Sequence, residues 1–306
     1  MKTIKIGQTT IQGSEVSLGC MRLAGLTNDK ANILINTALE EGINFFDHAD
    51  IYGRGKSEEI FSNAIKMNTS IREKMILQTK CGIVPGVMYD FSKEHILKSV
   101  DDSLKRLKTD YVDTLLLHRP DILVEPEEVA QAFRALKESG KVKHFGVSNH
   151  TPLQIELLNK YLDEKIMINQ LQFGVMHTGI IDHGVNMNTK DIAAIDRDNE
   201  ILNYCRLNDI TIQAWSPYQY GMFEGVFLGN EKFKEVNEKL DEIAIKYNVT
   251  STAIATAFIL RHPAKIQTVV GTTNSERLKE ICKATNIILT RTEWYEIYKA
   301  AGNILP

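Results

Sequence analysis

Apolar residues fall along the chain in two alternating patterns. Short continuous runs occupy Val16–Cys20, Ile43–Phe46, Met75–Thr79, Val112–Leu117, Val142–Val147, Ile166–Leu171, Thr211–Trp215 and Ile266–Val270. Runs of that length predict strands covered on both faces, as in a parallel sheet. Between them, apolar positions recur at helical spacing: Ile33, Leu34 and Ala38; Ile96, Val100, Leu104 and Leu107; Val129, Phe133 and Leu136; Phe233, Val236, Leu240, Ile243 and Tyr247. Ile201–Leu207 and Ser251–Arg261 are further helices, the second closed by His262-Pro263. The punctuation agrees with these elements. Thr27 or Asn28, Ser92 and Asn274 stand where helix N-caps are needed, Pro126 sits in a first turn, and Gly140 follows a last one. Strands alternating with helices predict an α/β fold.

Three segments stand outside this alternation. Thr3–Ile6 and Thr9–Ile11 read as a hairpin turned at Gly7-Gln8, and Arg291–Ala301 reads as an extra C-terminal helix. Residues 174–196, rich in Gly and Asn, hold no sustained period and are expected to form a long ordered loop over the mouth of the sheet.

Composition narrows the partners. At 306 residues, a quarter of them charged and with a net charge of -3, the chain has no basic stripe, so neither nucleic acid nor an anionic membrane is expected. No run is long enough to span a bilayer, and the N-terminus has no apolar signal segment. Four cysteines, Cys20, Cys81, Cys205 and Cys282, lack CxxC spacing. The expected setting is a reduced cytoplasm. Without a linker or low-complexity break, residues 1–306 are expected to form a single domain.

Candidate chemistry gathers after the second of these apolar runs. Phe46 is followed by Asp47, Asp50 and Tyr52, then by Gly53 and Gly55. Loops at the C-terminal ends of strands are where α/β folds place their sites. Two later runs end in the same way, in Lys80 and in His118. A carboxylate, a phenol, an amine and an imidazole can then share one face.

Phe46-Asp47-x-Ala49-x-x-Tyr52-Gly53, Thr79-Lys80, Leu117-His118-x-Pro120-Asp121 and Gly146-Val147-Ser148-Asn149 resemble, in order, the signature of the aldo-keto reductases. The closing segment from Trp294 to Pro306 resembles bacterial YdhF-type oxidoreductases of that family. The resemblance implies a (β/α)8 TIM barrel with an N-terminal β-hairpin and an extra C-terminal helix. It argues against a doubly wound sheet, as does the lack of GxGxxG after the first barrel strand.

It further implies reduction of an aldehyde or ketone to an alcohol. Tyr52 would be the proton donor, Lys80 its tuner, Asp47 the partner of Lys80, and His118 a hydrogen-bond donor to the carbonyl oxygen. A phenol with a pKa of about 10 needs such a tuner, and Lys80 is expected to lower it. By the same resemblance Ser148, Asn149 and Gln170 hold the nicotinamide carboxamide, and Trp215, with Ser216 beside it, stacks on the ring. Gly271, Thr272 and Thr273 form the phosphate loop, while Arg277 and Glu280 meet the adenosine part. Arg277 would face a 2′-phosphate, which puts NADP(H) ahead of NAD(H); many relatives carry a lysine at the position of Gly271, and its absence moderates that preference. A monomer is the state the family implies.

Taken singly, each residue has an ordinary reading: a loop cap, an amphipathic tyrosine, a solvent-reaching lysine, a packed histidine. The ordered set outweighs these. His48 and Asp50 are assigned structural places, although relatives often have a small residue where His48 stands. His177, Asp182 and His183 fit no standard zinc spacing, so no metal is expected. Two rival functions remain: a cofactor-binding regulatory subunit with little turnover, and a Schiff-base lyase using Lys80 as nucleophile.

Overall fold

Eight parallel strands close into a barrel in the computed structural model of the protein, which describes residues 1–305. Pro306, the last residue of the family-like closing segment, lies outside the described residues.

The chain begins with β1 (Thr3–Lys5) and β2 (Gln12–Ser14), an antiparallel pair in which Thr3 faces Ser14. The hairpin's second arm is therefore not Thr9–Ile11. Thr9 is used in the turn instead, donating its hydroxyl to the Ile6 carbonyl at 2.6 Å and accepting from the Ile11 amide at 3.0 Å. Ile4 and Ile6 pack on Phe45, Leu116 and Ile168, closing the end of the barrel where the strands begin.

β3 (Val16–Gly19) leads to α1 (Asn28–Glu40), β4 (Phe45–Asp47) to α2 (Lys56–Ala64) and the short α3 (Thr69–Arg72). β5 (Ile76–Cys81) is followed by a small hairpin, β6 (Ile83–Val84) with β7 (Met88–Tyr89), and by α4 (Lys93–Leu107). β8 (Val112–Leu117), α5 (Pro126–Glu138), β9 (Val142–Ser148), α6 (Pro152–Asn159) and β10 (Ile168–Gln172) continue the alternation. After α7 (Gly179–Val185) and α8 (Ile201–Leu207) come β11 (Thr211–Trp215), α9 (Lys234–Tyr247) and α10 (Ser251–Leu260). β12 (Gln267–Val270), α11 (Ser275–Cys282) and α12 (Arg291–Ala300) complete it. The strands pair in the order β3-β4-β5-β8-β9-β10-β11-β12, and β12 returns to β3. This is a (β/α)8 barrel with the N-terminal hairpin and the C-terminal helix in place.

The expected caps form. Thr27, Ser92 and Asn274 accept from backbone amides of α1, α4 and α11, each satisfying a donor that the helix cannot. One stripe differs from expectation. Ile33 is 59% exposed, and Ile35 takes its place in the buried face with Ala31, Leu34 and Ala38. At about 100° per residue these four fall within one arc of about 100°, whereas Ile33 lies about 150° from its centre.

Residues 174–196 are not a loop over the mouth. They contain α7 and a short 3₁₀ turn at Ile192–Ala194. Ile180 and Ile181 are buried, and the Asp182 carboxylate accepts from the Tyr298 hydroxyl at 2.7 Å, tying the segment to α12. The apolar pair is too short to show a period among polar neighbours, yet it is enough to dock the segment at the side of the barrel. α12 is held in turn by Trp294, whose ring stacks on Phe258 at 4.6 Å and donates to the Phe258 carbonyl at 2.9 Å. No single helix among the described residues is long and apolar enough to cross a membrane.

Candidate active site

β4 ends in Asp47 and the next turns carry Tyr52, while Lys80 lies near the end of neighbouring β5. Gly53 allows this turn: its φ is +59°, and a Cβ there would lie 2.4 Å from that of Ala24. The Lys80 ammonium is fully buried and has three acceptors: the Asp47 carboxylate at 2.8 Å, the His48 carbonyl at 2.9 Å and the Tyr52 hydroxyl at 3.1 Å. All its donors are used, as a buried charge requires.

Burial acts to lower the pKa of Lys80, but Asp47 and Tyr52 outweigh it and hold the amine above its ordinary value. Burial raises the phenol of Tyr52, and the charge and hydrogen bond of Lys80 offset this only in part. The net direction for Tyr52 is therefore upward, not downward as the sequence led us to expect. The phenol holds its proton firmly, with an ammonium in place to stabilise the anion once that proton leaves.

His118 stands edge-on to Tyr52, ring centres 5.8 Å apart. Burial, then the charges of Lys80 and Arg119, depress its pKa well below the usual range, so the ring is neutral. Its Nδ1 is buried without a partner, which leaves Nε2 as the nitrogen open to the cavity.

Asp47 is held by a set of glutamines of which only Gln170 was a candidate from the sequence. Its second oxygen accepts from Gln78 at 2.6 Å and from Gln170 at 3.1 Å. Gln78 and Gln170 both donate to Gln213, which donates to Gln267 at 2.8 Å. These glutamines are all buried inside the barrel. The available signal was a glutamine recurring in each of four barrel strands.

A cavity of about 920 Å³ opens over this cluster. Asp47, Tyr52, His118, Ser148, Asn149, Gln170, Trp215, Ser216, Gly271, Thr272 and Arg277 line it; Thr273 and Glu280 do not. Lys80 lies beneath, in contact with two of these lining residues, Asp47 and Tyr52. Trp215 is fixed by its indole N–H, which donates to Asn149 Oδ1 at 3.1 Å, while Asn149 Nδ2 donates to Ser148 Oγ at 2.8 Å. Ser148 Oγ donates to the Gln170 carbonyl at 3.0 Å. Glu280 pairs with Lys283 at 2.6 Å. Arg277 forms no ion pair among the described residues, and its amide is capped by Asn274.

The mouth is formed by Met21, Arg22, Ile83, Tyr89, Arg119 and the 218–226 loop with Met222 and Phe223. Nothing from residues 174–196 reaches it. His48 is not at the mouth either. It is fully buried, edge-on to Phe61 at 4.5 Å, with both ring nitrogens unpartnered and its pKa lowered by burial to about 3. Asp50 is raised to about 7 by burial and by Glu58. Burial pushes the thiols of Cys20 and Cys81 well up, so neither is a ready nucleophile.

His177, Asp182 and His183 do not form a ligand set, since Asp182 is committed to Tyr298. A different trio, His183, Asp196 and Glu200, brings its polar atoms within 4.8 Å. It is accounted for by ordinary contacts: Asp196 accepts from the amides of Asp198 and Glu200, and His183 meets Glu200 at 3.3 Å.

Comparison with known proteins agrees with this geometry. Residues 15–301 match the aldo/keto reductase family. The chain is 34% identical to a 6-dehydroglucose reductase of Novosphingobium aromaticivorans, over 99% of this chain and 96% of that one. It is 33% identical to the oxidoreductase YdhF of Escherichia coli, over 87% of this chain and 86% of that one. The solved structure of a thermostable aldo-keto reductase, Tm1743, in complex with the inhibitor epalrestat superposes with a TM-score of 0.78 at 27% identity, covering 98% of this chain and all of that one. The chain belongs to the aldo/keto reductase family, and is an oxidoreductase that uses a nicotinamide cofactor and acts on carbonyl compounds.

Proposed function

We propose that the protein reduces an aldehyde or ketone to an alcohol with NADPH, and that Tyr52 gives the proton. The observation that carries this reading is the chain of contacts Asp47–Lys80–Tyr52, at 2.8 and 3.1 Å, beneath one large cavity.

The residues present fit a nicotinamide nucleotide. One cavity is lined both by Trp215 and Gln170 and by Thr272 and Arg277. The Trp215 ring is held in orientation by Asn149, and Gln170 Oε1 accepts no hydrogen bond among the described residues, leaving it open to a carboxamide N–H. Gly271 has no neighbour within 4 Å of a Cβ position, which leaves room for a phosphate against the backbone. Arg277 offers an unpaired guanidinium for a 2′-phosphate. Ser148, Asn149 and Ser216 complete the nicotinamide side; Thr273 and Glu280 stand on the adenosine side, Glu280 after release from Lys283.

When bound, the cofactor supplies hydride to the carbonyl carbon. The chain's own residues govern the oxygen. His118, neutral and open at Nε2, donates a hydrogen bond that aims the oxygen at Tyr52. The Tyr52 phenol passes its proton to that oxygen as negative charge develops there. Lys80 then stabilises the phenolate at 3.1 Å, and Asp47 keeps Lys80 charged while this happens. Lys80 is not disposed to act as a Schiff-base nucleophile, because its nitrogen is protonated and fully engaged. Residues 1–306 act as one domain and one monomer in this reading.

The test is Tyr52→Phe, which removes one hydroxyl and leaves the ring. Carbonyl reduction with NADPH should fall by about 10²–10⁴-fold, the usual worth of general acid catalysis, while NADPH binding changes little. Near-normal turnover on a good substrate would show that the acid lies elsewhere.

A further inference from the structure

The substrate end of the cavity carries positive charge that nothing in the chain neutralises. Two acids line the cavity, Asp47 and Asp241. Asp47 is spent on Lys80 at 2.8 Å, and Asp241 accepts from the Ser251 hydroxyl. Asp241 lines the cavity together with its partner Ser251 and the neighbouring Thr250 and Thr252. Arg119 and Arg22 both line the mouth, and neither forms an ion pair among the described residues.

Arg119 is the nearer to the chemistry. It follows His118 directly, and its guanidinium carbon lies 5.9 Å from the centre of the Trp215 ring. It is half-buried, and only Nη2 has a partner, the Met222 sulfur at 3.6 Å. A thioether is a weak acceptor, and a ring contact at that distance sits at the edge of a useful cation–π interaction. A partly dehydrated guanidinium with most of its donors unmet is poised for a planar two-oxygen anion.

We propose that Arg119 is a specificity residue that takes a carboxylate on the substrate, so that the preferred substrates are carbonyl compounds bearing an anionic group. The inference rests on the reductase reading above. The carbonyl oxygen is met by Tyr52 and His118 while the distal carboxylate is met by Arg119, with Arg22 adding to the positive field at the rim. The loop holding Met222 would yield its sulfur contact to the incoming oxygens.

Two aldehydes of nearly equal shape test it: 4-carboxybenzaldehyde and its neutral methyl ester. With NADPH and the wild-type protein, kcat/KM should favour the carboxylate by about 10–100-fold, the worth of a hydrogen bond to a charged group. The preference should reside in KM. In Arg119→Gln the ratio should fall to within about twofold of unity, and in Arg119→Lys part of it should return, since charge survives and the fork does not. Calorimetric binding of the two aldehydes to the protein with oxidised cofactor gives the same comparison without turnover. A wild-type ratio near one in both measurements overturns the proposal, as does a ratio that Arg119→Gln leaves standing. Reduction of neither aldehyde, with the carboxylate still bound more tightly through Arg119, would instead remove the reductase reading and keep the anion site.

Discussion

Asp47→Asn tests the charge arrangement beneath the cavity. One Asp47 oxygen meets Lys80 at 2.8 Å, and the other accepts from Gln78 at 2.6 Å and Gln170 at 3.1 Å. Every neighbour is a donor. An amide at this position must turn its NH₂ towards either the ammonium or the two glutamine NH₂ groups, so donors collide in both rotamers. Removing one partner of a buried pair costs about 3–5 kcal/mol. The lower end is expected at pH 7, because Lys80 keeps the His48 carbonyl and the Tyr52 hydroxyl as acceptors. The pH dependence gives a second reading with a definite sign. In the wild type the folded pKa of Lys80 lies above its unfolded value. Its contribution is complete below the unfolded value of about 10.4 and is lost as pH rises through the folded one. In the variant, burial is no longer opposed by Asp47, so the folded pKa falls below the unfolded one. Between those two values the folded state binds fewer protons than the unfolded state, and stability rises with pH. Urea denaturation followed by circular dichroism, at pH 7 and pH 9.5, measures both. The penalty relative to wild type should be about 3 kcal/mol at pH 7 and clearly smaller at pH 9.5. A penalty below about 1 kcal/mol at pH 7, or one equal at both pH values, would refute the reasoning, since a cost at the level of a surface pair means Asp47 is not holding a buried charge.

Arg277→Ala should weaken NADPH binding and leave NADH binding almost unchanged in parallel titrations. The wild-type preference for NADPH should lie in the lower part of about 1–3 kcal/mol, the range for a hydrogen bond to a charged group; equal losses for both cofactors would place Arg277 at the adenine or in the helix alone. NADPH should quench part of the intrinsic fluorescence through Trp215, which lines the cavity, and not through Trp294, which is stacked on Phe258. Quenching that survives Trp215→Phe and vanishes in Trp294→Phe would reverse that assignment.

Much of the site was legible because it is written at strand ends. Asp47, Tyr52, Lys80 and His118 each follow a continuous apolar run, and a run covered on both faces leaves its last residues at the barrel's open end. Trp215 and Ser148 also end barrel strands, but only the family resemblance singled them out. The supporting residues were not legible. Gln78 and Gln213 sit mid-strand, where a glutamine reads as an exception to a buried pattern. Arg119 was passed over beside the more conspicuous His118. The net direction of the Tyr52 pKa was misjudged for a related reason, since the ammonium was visible in the sequence and the depth of burial was not.

The amino-acid sequence by itself determined the alternation of strands and helices, most of the helix caps and the order of the site-bearing strand ends. These are local matters, set by periodicity and by side chains bonding amides three residues away. Only the tertiary structure decided that Asp47 accepts from Gln170, 123 residues distant, that residues 174–196 dock against α12 instead of covering the mouth, and that Ile35 rather than Ile33 faces the core. Each of those depends on how the barrel closes: closure sets which distant side chains meet and which surfaces lose water, and no local pattern carries either.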